Sequence, residues 1–307
     1  MNLREEEDRI SFRERSKKAR KRRNDNKKWT LIASNTAAAL IIVIAVLAVK
    51  ATMPGQHIEK SDDKGVSVAS EAAVEVPTPT AASVPDVATQ ATGTDKWVRK
   101  DLDPSKPMIA LTFDDGPYTK VTRKILKVLK NNNSRATFFI MGNRVEMYSE
   151  TLQMAYDQGN QIGSHTYDHK DLRKMSAKGI EKEITKTNQE VKKVIGCETT
   201  ALRPPYGSVN DRMRKTIKVP MIYWSVDSED WKSRNANQVL KRCKSVQDGD
   251  ILLFHDLYPS TASAIKKLVP RLVKQGYQLV TIDELFYYKK IDAKGGEVYY
   301  SGHPEGK

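Results

Sequence analysis

Five short stretches of this 307-residue chain set reactive side chains at intervals that chemistry can use. The first, ALTFDDGP at 110–117, places Asp114 and Asp115 side by side where an apolar run breaks at a glycine. A turn needs one aspartate before its glycine, and neighbouring carboxylates repel, so the second acid calls for a counter-charge or a task. SHTYDH at 164–169 leaves three residues between His165 and His169, which brings two imidazoles to one ion if the segment turns helically. A carboxylate from another strand end would complete a facial set of two histidines and one acid for a divalent metal, with positions left open for water and substrate. LRPPYG at 202–207 sets Arg203 before two prolines that stiffen the loop. SVDSEDW at 225–231 supplies Asp227, Asp230 and Trp231, and ILLFHD at 251–256 ends an apolar run in His255.

Each stretch has a plain alternative: an Asp-Gly turn, two surface histidines, a surface arginine, loop acids beside a core aromatic, a hydrogen-bonded core histidine. What argues against five coincidences is their common placement. The apolar runs 108–113, 136–141, 161–165, 200–204, 221–226, 251–256 and 278–282 read as strands, and amphipathic segments between them, such as 122–131, 148–159, 176–196, 210–217, 235–246 and 261–276, read as helices. Pro270 predicts a kink or break in the last of these. Strands alternating with helices predict an α/β fold with parallel strands, as an open sheet or a barrel. The reactive residues all fall where such strands end, including three of the chain's five histidines, and in a parallel barrel those ends share one face. His57 and His303 are expected in solvent.

Charge and hydropathy divide the rest. Residues 1–53 carry +7 of the formal +14, concentrated in KKARKRRNDNKK at 17–28. An uncharged, mainly apolar stretch follows at 29–49, long enough for a helix of about 30 Å. The expected organisation is a basic cytoplasmic tail (1–28), a single transmembrane anchor (29–50), an extended Pro/Ala/Thr-rich disordered linker (51–96), a folded domain (97–290) and a C-terminal tail (291–307). The positive-inside rule puts the folded domain outside the cell. Basic residues that fix topology need no nucleic-acid partner, and none is expected. Cys197 and Cys243 are read as unpaired thiols.

Taken in order, TFDDGP, SHTYDH, RPPYG, DSEDW and LLFH resemble the five motifs of the NodB-like polysaccharide deacetylases, carbohydrate esterase family four, over about residues 105–285. The resemblance implies a distorted barrel of about seven parallel strands and removal of acetyl groups from polysaccharides with one divalent metal, usually zinc, with cobalt, manganese or nickel as alternatives. It makes Asp115, His165 and His169 the metal ligands, Asp114 the general base and His255 the general acid, with Asp230 as the partner that keeps His255 cationic. Arg203 would pair with Asp114, the backbone amide of Tyr206 would stabilise an oxyanion, and Trp231 and Leu253 would wall a pocket for the acetyl methyl group. With an anchor and spacer, the expected substrate is acetylated cell-wall glycan, namely the N-acetylglucosamine of peptidoglycan. Chitin oligomers, poly-N-acetylglucosamine and acetylated xylan are alternative substrates, and a non-catalytic glycan-binding module is the alternative of another class.

Overall fold

The computed structural model describes residues 98–303. The basic tail, the expected anchor at 29–50 and the linker lie outside the described residues. No helix among the described residues is long and apolar enough to cross a membrane.

The architecture is an α/β fold around a parallel sheet. Its strands are β1 (Met108–Asp114), β2 (Thr137–Ile140), β3 (Gln161–Ser164), β4 (Met221–Ile222), β5 (Val226–Asp227), β6 (Ile251–His255), β7 (Gln278–Val280) and β8 (Val298–Tyr299). Strand β1 is central, and all seven of its residues are buried. That explains why it reads as an unbroken apolar run rather than an alternating one. It pairs with β6 along Ala110–Asp114, and on its other side with β7 through Met108–Ala110 and with β2 through Thr112–Asp114. β3 joins β2, and β5 joins β6, all parallel. β4 pairs with β8. Isolated bridges from Leu202 to Ser164 and to Met221 connect β3 with β4.

The helices α1 (Thr119–Asn131), α2 (Ser149–Asp157), α3 (Ala177–Ile195), α4 (Asp211–Thr216), α5 (Ala236–Arg242), α6 (Pro259–Lys274) and α7 (Ile282–Lys289) cover the strands. Their apolar stripes form the main core with the inner strands: Val121, Ile125, Leu126 and Leu129 of α1 and Ile265, Leu268, Val269 and Leu272 of α6 are buried in it. Phe113 stacks between Phe138 and Phe254 at centroid distances of 5.0 and 5.6 Å, so three adjacent strands are locked by one aromatic row. α3 begins at Ser176, whose hydroxyl accepts from the Gly179 amide, and stops at Gly196 in the left-handed region at φ 78.

Five expectations differ from this fold. Residues 200–204 form no ladder, because Pro204 and Pro205 have no N–H to contribute; only Leu202 bridges. The run 221–226 is split into β4 and β5, since the Ile222 and Tyr223 carbonyls accept from Arg203 instead. Of the kink or break expected at Pro270, the break does not occur: α6 continues through it, the missing N–H costing one bond while the buried stripe packs on either side. Of the residues expected as a tail, the described ones, 291–303, belong to the fold: Val298–Tyr299 pairs with β4, and His303, expected in solvent, is half-buried with Nε2 3.3 Å from Asp250 Oδ1. Cys197 and Cys243 are free thiols.

Candidate active site

Asp114 closes β1, and its register partner across the β1–β6 ladder is His255, the last residue of β6. His165 follows β3, Arg203 follows the Leu202 bridge, and Asp230 opens a one-turn helix, Asp230–Ser233, after β5. The strand ends thus gather the residues that the sequence scatters over 140 positions.

Asp115, His165 and His169 each present a ligand atom within 4.8 Å of the other two. Asp115 Oδ1 lies 3.6 Å from His165 Nε2 and 3.5 Å from His169 Nε2. This is about the separation of donors that share one ion at bonds of roughly 2 Å. Two further observations test the fit. Asp115 Oδ1 is buried and has no hydrogen-bond partner, an arrangement that is costly for a carboxylate unless a cation meets it. His165 is buried, and burial together with neighbouring His169 lowers its pKa to about 3, so the ring is neutral. Its Nδ1 lies 2.7 Å from the Arg203 carbonyl, so Nδ1–H donates there and the Nε2 lone pair faces the cluster. The residues therefore fit a divalent ion. Asp115 and His169 hold φ values of 70 and 55, a left-handed conformation that costs on the order of 1–3 kcal/mol in a non-glycine residue and persists where surroundings enforce it.

Asp114 is buried beside this cluster. Burial pushes its carboxyl above the ordinary 3.8, and the charge of Arg203 works against that rise. Arg203 is fully buried, and each of its three nitrogens has a partner: Nη1 donates to Asp114 Oδ1 at 2.9 Å and Thr112 Oγ1 at 2.7 Å, Nη2 to the Tyr223 carbonyl at 2.7 Å, Nε to the Ile222 carbonyl at 2.8 Å. The guanidinium also lies over the Phe139 ring at 4.3 Å. A surface arginine on a proline turn, the plain alternative, is not what the fold contains.

His255 and Asp230 form the second pair. His255 Nδ1 lies 2.8 Å from Asp230 Oδ1, and the His255 amide donates to Oδ2 at 2.7 Å. Thr261 and the Trp231 amide complete the shell around a fully buried carboxylate, at 2.6 and 2.8 Å. Burial alone would discharge His255, but the bond and charge of Asp230 overcome it and raise the pKa to about 9. With Nδ1 committed to Asp230, Nε2–H of the imidazolium is the proton left for another partner.

Of the residues expected to meet substrate, Tyr206 and Trp231 stand at the rim. Tyr206, at φ 65, is 65% exposed, with its ring edge-on to His169 at 4.9 Å. Trp231 is 48% exposed, whereas Leu253 is buried in β6 beneath the loop, its carbonyl accepting from Ser228.

With that geometry in view, comparison with known proteins is informative. A polysaccharide deacetylase family model matches residues 101–219. The chain is 42% identical over 190 residues to the peptidoglycan-N-acetylmuramic acid deacetylase PdaC of Bacillus subtilis, a match covering 62% of this chain and 41% of that protein. It is 41% identical to the peptidoglycan-N-acetylglucosamine deacetylase PgdA of Listeria monocytogenes, covering 61% and 42%. The chain therefore spans about two fifths of the length of these curated relatives. A peptidoglycan-N-acetylglucosamine deacetylase of Bacillus cereus is 32% identical over 99% of its own length and 62% of this chain. The chain belongs to the polysaccharide deacetylase family. Among solved structures, T48 deacetylase with substrate superposes with a TM-score of 0.62 at 38% identity, covering 64% of this chain and 99% of that one. A family 4 acetyl xylan esterase from Clostridium thermocellum in complex with a cobalt ion superposes at 0.60 with 30% identity, covering 63% and 98%.

This polysaccharide deacetylase domain also holds polar groups that motif reading passes over. Asp256 is fully buried, accepts from Thr122 Oγ1 and leaves Oδ1 without a partner; burial raises its pKa to about 7. Its signal in the sequence is its place directly after His255. Glu183 is buried on α3, and its signal is a charge on the stripe formed by Ile180, Thr187 and Val191.

Proposed function

We propose that this chain is a metal-dependent deacetylase that hydrolyses the acetamido groups of N-acetylglucosamine in peptidoglycan. The observation that carries the reading is the cluster of Asp115, His165 and His169 set between two differently tuned acid–base groups, Asp114 with Arg203 and His255 with Asp230. The parallel pairings that run from β5 through β6, β1 and β2 to β3, then by Leu202 to β4, support the distorted barrel expected of the family.

In the proposed mechanism a divalent ion, for which we favour zinc, would be held by Asp115, His165 and His169 and would supply Lewis acidity toward the acetamide carbonyl and an attacking water. Asp114 takes the proton of that water, and Arg203 keeps the carboxylate oriented. The Tyr206 amide donates to the oxygen that gains charge as the carbonyl becomes tetrahedral. His255 Nε2–H then protonates the departing amine, while Asp230 holds the imidazolium in place through Nδ1. Trp231 and Leu253 close a small pocket around the acetyl methyl group. A module that only bound glycan would have no use for both proton carriers.

The sugar is argued from likeness. Relatives at 41–42% identity carry peptidoglycan in their names, divided between N-acetylglucosamine and N-acetylmuramic acid, while the acetyl xylan esterase stands at 30%. The proposed location is the outer face of a cell membrane, with a cytoplasmic N-terminus; it rests on the basic and apolar segments before residue 51.

The test is mass analysis of muropeptides after incubation with the full chain and with Asp114→Asn. Loss of acetyl from the glucosamine fragment with the wild-type chain alone is the expected result. Loss from the muramic acid fragment would correct the sugar. Unchanged muropeptides beside deacetylated chitin oligomers would overturn the substrate and keep the reaction.

A further inference from the structure

His165 and His169 can meet one ion only while the loop that joins them keeps an unusual shape. Thr166 and His169 both lie in the left-handed region, at φ 64 and 55, so the loop does not hold itself. Its carbonyls are fixed on one side: the Gly142 amide donates to the Thr166 carbonyl at 3.0 Å and the Asn143 amide to the Tyr167 carbonyl at 3.1 Å. The Thr166 amide donates to Ser164 Oγ at 3.3 Å, and the next two amides are fixed on the other side by a single side chain. Glu183 Oε2 accepts from the Tyr167 amide at 3.1 Å and from the Asp168 amide at 2.9 Å. Glu183 Oε1 accepts from Lys170 Nζ at 2.8 Å, and Lys170 also reaches Asp168 Oδ2 at 3.1 Å.

A carboxylate on the apolar stripe of α3 is expensive to bury without partners, and every partner named here lies in or next to the His165–His169 loop. The carboxylate spans the two consecutive amides midway between the histidines and ties the residue just beyond them. We propose that Glu183 is the positioning residue that holds the two histidines in their ligand-ready arrangement, acting through the loop backbone and never touching the ion. The inference rests on the reading of Asp115, His165 and His169 as metal ligands.

The test is cobalt(II) titration of the metal-free full chain, followed by visible absorption, for wild type, Glu183→Ala and Glu183→Gln, with thermal midpoints recorded alongside. Outer groups that orient ligands are worth about 10–100-fold in metal affinity, so Glu183→Ala is expected to bind cobalt weaker by that factor and to alter the absorption bands. Glu183→Gln should fall between, because its amide oxygen still accepts the two N–H groups while its NH2 opposes Lys170. A Glu183→Ala chain that melts earlier yet binds cobalt as wild type does would overturn the inference, since Glu183 would then serve packing alone. If Glu183→Ala does not fold, Glu183→Gln decides: weakened binding supports the inference, and wild-type affinity overturns it. A wild-type chain that binds no cobalt would instead bring down the metal reading itself and this inference with it.

Discussion

The two ends of the sheet both bury an arginine against a carboxylate, and they do so for opposite ends. Where β2 and β3 begin, Glu284 is fully buried and completely bonded: Arg99 reaches it through Nε at 2.7 Å and Nη2 at 3.0 Å, Arg135 through Nη1 at 3.2 Å, and the Thr281 amide at 2.9 Å closes a capping box on α7. Where β1 and β6 end, Arg203 holds Asp114, but Asp115 and Asp256 each keep a buried oxygen with no partner. Backbone strain is concentrated in the same way: of the eight non-glycine residues at positive φ among the described residues, Asp115, Thr166, His169, Tyr206, Glu229 and Arg234 are on the loops of the reactive end, and Asn133 and Lys290 are elsewhere. A carboxylate with every lone pair answered stabilises a fold; one left open beside the neutral His165 imidazole is ready for a ligand.

The comparison can be broken or sharpened by substitution. At the reactive end, Asp115→Ala should abolish stoichiometric metal binding, read by elemental analysis after dialysis, while the thermal midpoint of the metal-free chain stays the same or rises as an unmet buried charge is removed. At the opposite end, Glu284→Ala leaves Arg99 and Arg135 facing each other; removing one partner of a buried pair costs about 3 kcal/mol, or roughly 10 °C in thermal midpoint for a domain of this size. Acetate release per folded molecule should not change. If Glu284→Ala lowered turnover as much as stability, the division of labour between the two ends would be wrong.

The His255 titration gives a smaller effect. In the metal-free chain its ring, followed by NMR, should titrate near 9, and in Asp230→Asn at or below the ordinary value of ~6.5. Because folding raises this pKa, the Asp230–His255 pair contributes stability that is fully present below ~6.5 and is lost as pH rises through about 9. Smallest is His303→Ala, which removes one contact to Asp250 and should cost about 0.5–1 kcal/mol in a denaturant midpoint, without effect on metal or turnover.

How legible this molecule is in its sequence depends on how local the cause is. β1, β6 and β7 announce themselves because each is an apolar run, and α3 because its Ser176 and Gly196 caps sit just outside an amphipathic repeat. The site residues are readable because the chemistry falls at strand ends, so that type and place coincide. Residues 200–204 are misleading because Pro204 and Pro205 have no N–H to pair, and the split of 221–226 has a cause that is not local: Arg203 donates to the Ile222 and Tyr223 carbonyls. β8 escapes notice because two residues after a Gly-Gly pair carry no period. The unshared oxygen of Asp115, the most telling mark of the site, exists only when the loops after β1 and β3 have met.

The central claim is that Asp115 holds a metal and Asp114 moves a proton. The direct measurement is acetate release from peptidoglycan by the full chain and by Asp114→Asn, with bound metal quantified in the same samples. The account predicts equal metal in both, acetate from the wild-type chain that a chelator abolishes, and a loss of about 10²–10⁴-fold in Asp114→Asn. Turnover by Asp114→Asn at the wild-type rate, or wild-type acetate release undiminished by chelator, would contradict it.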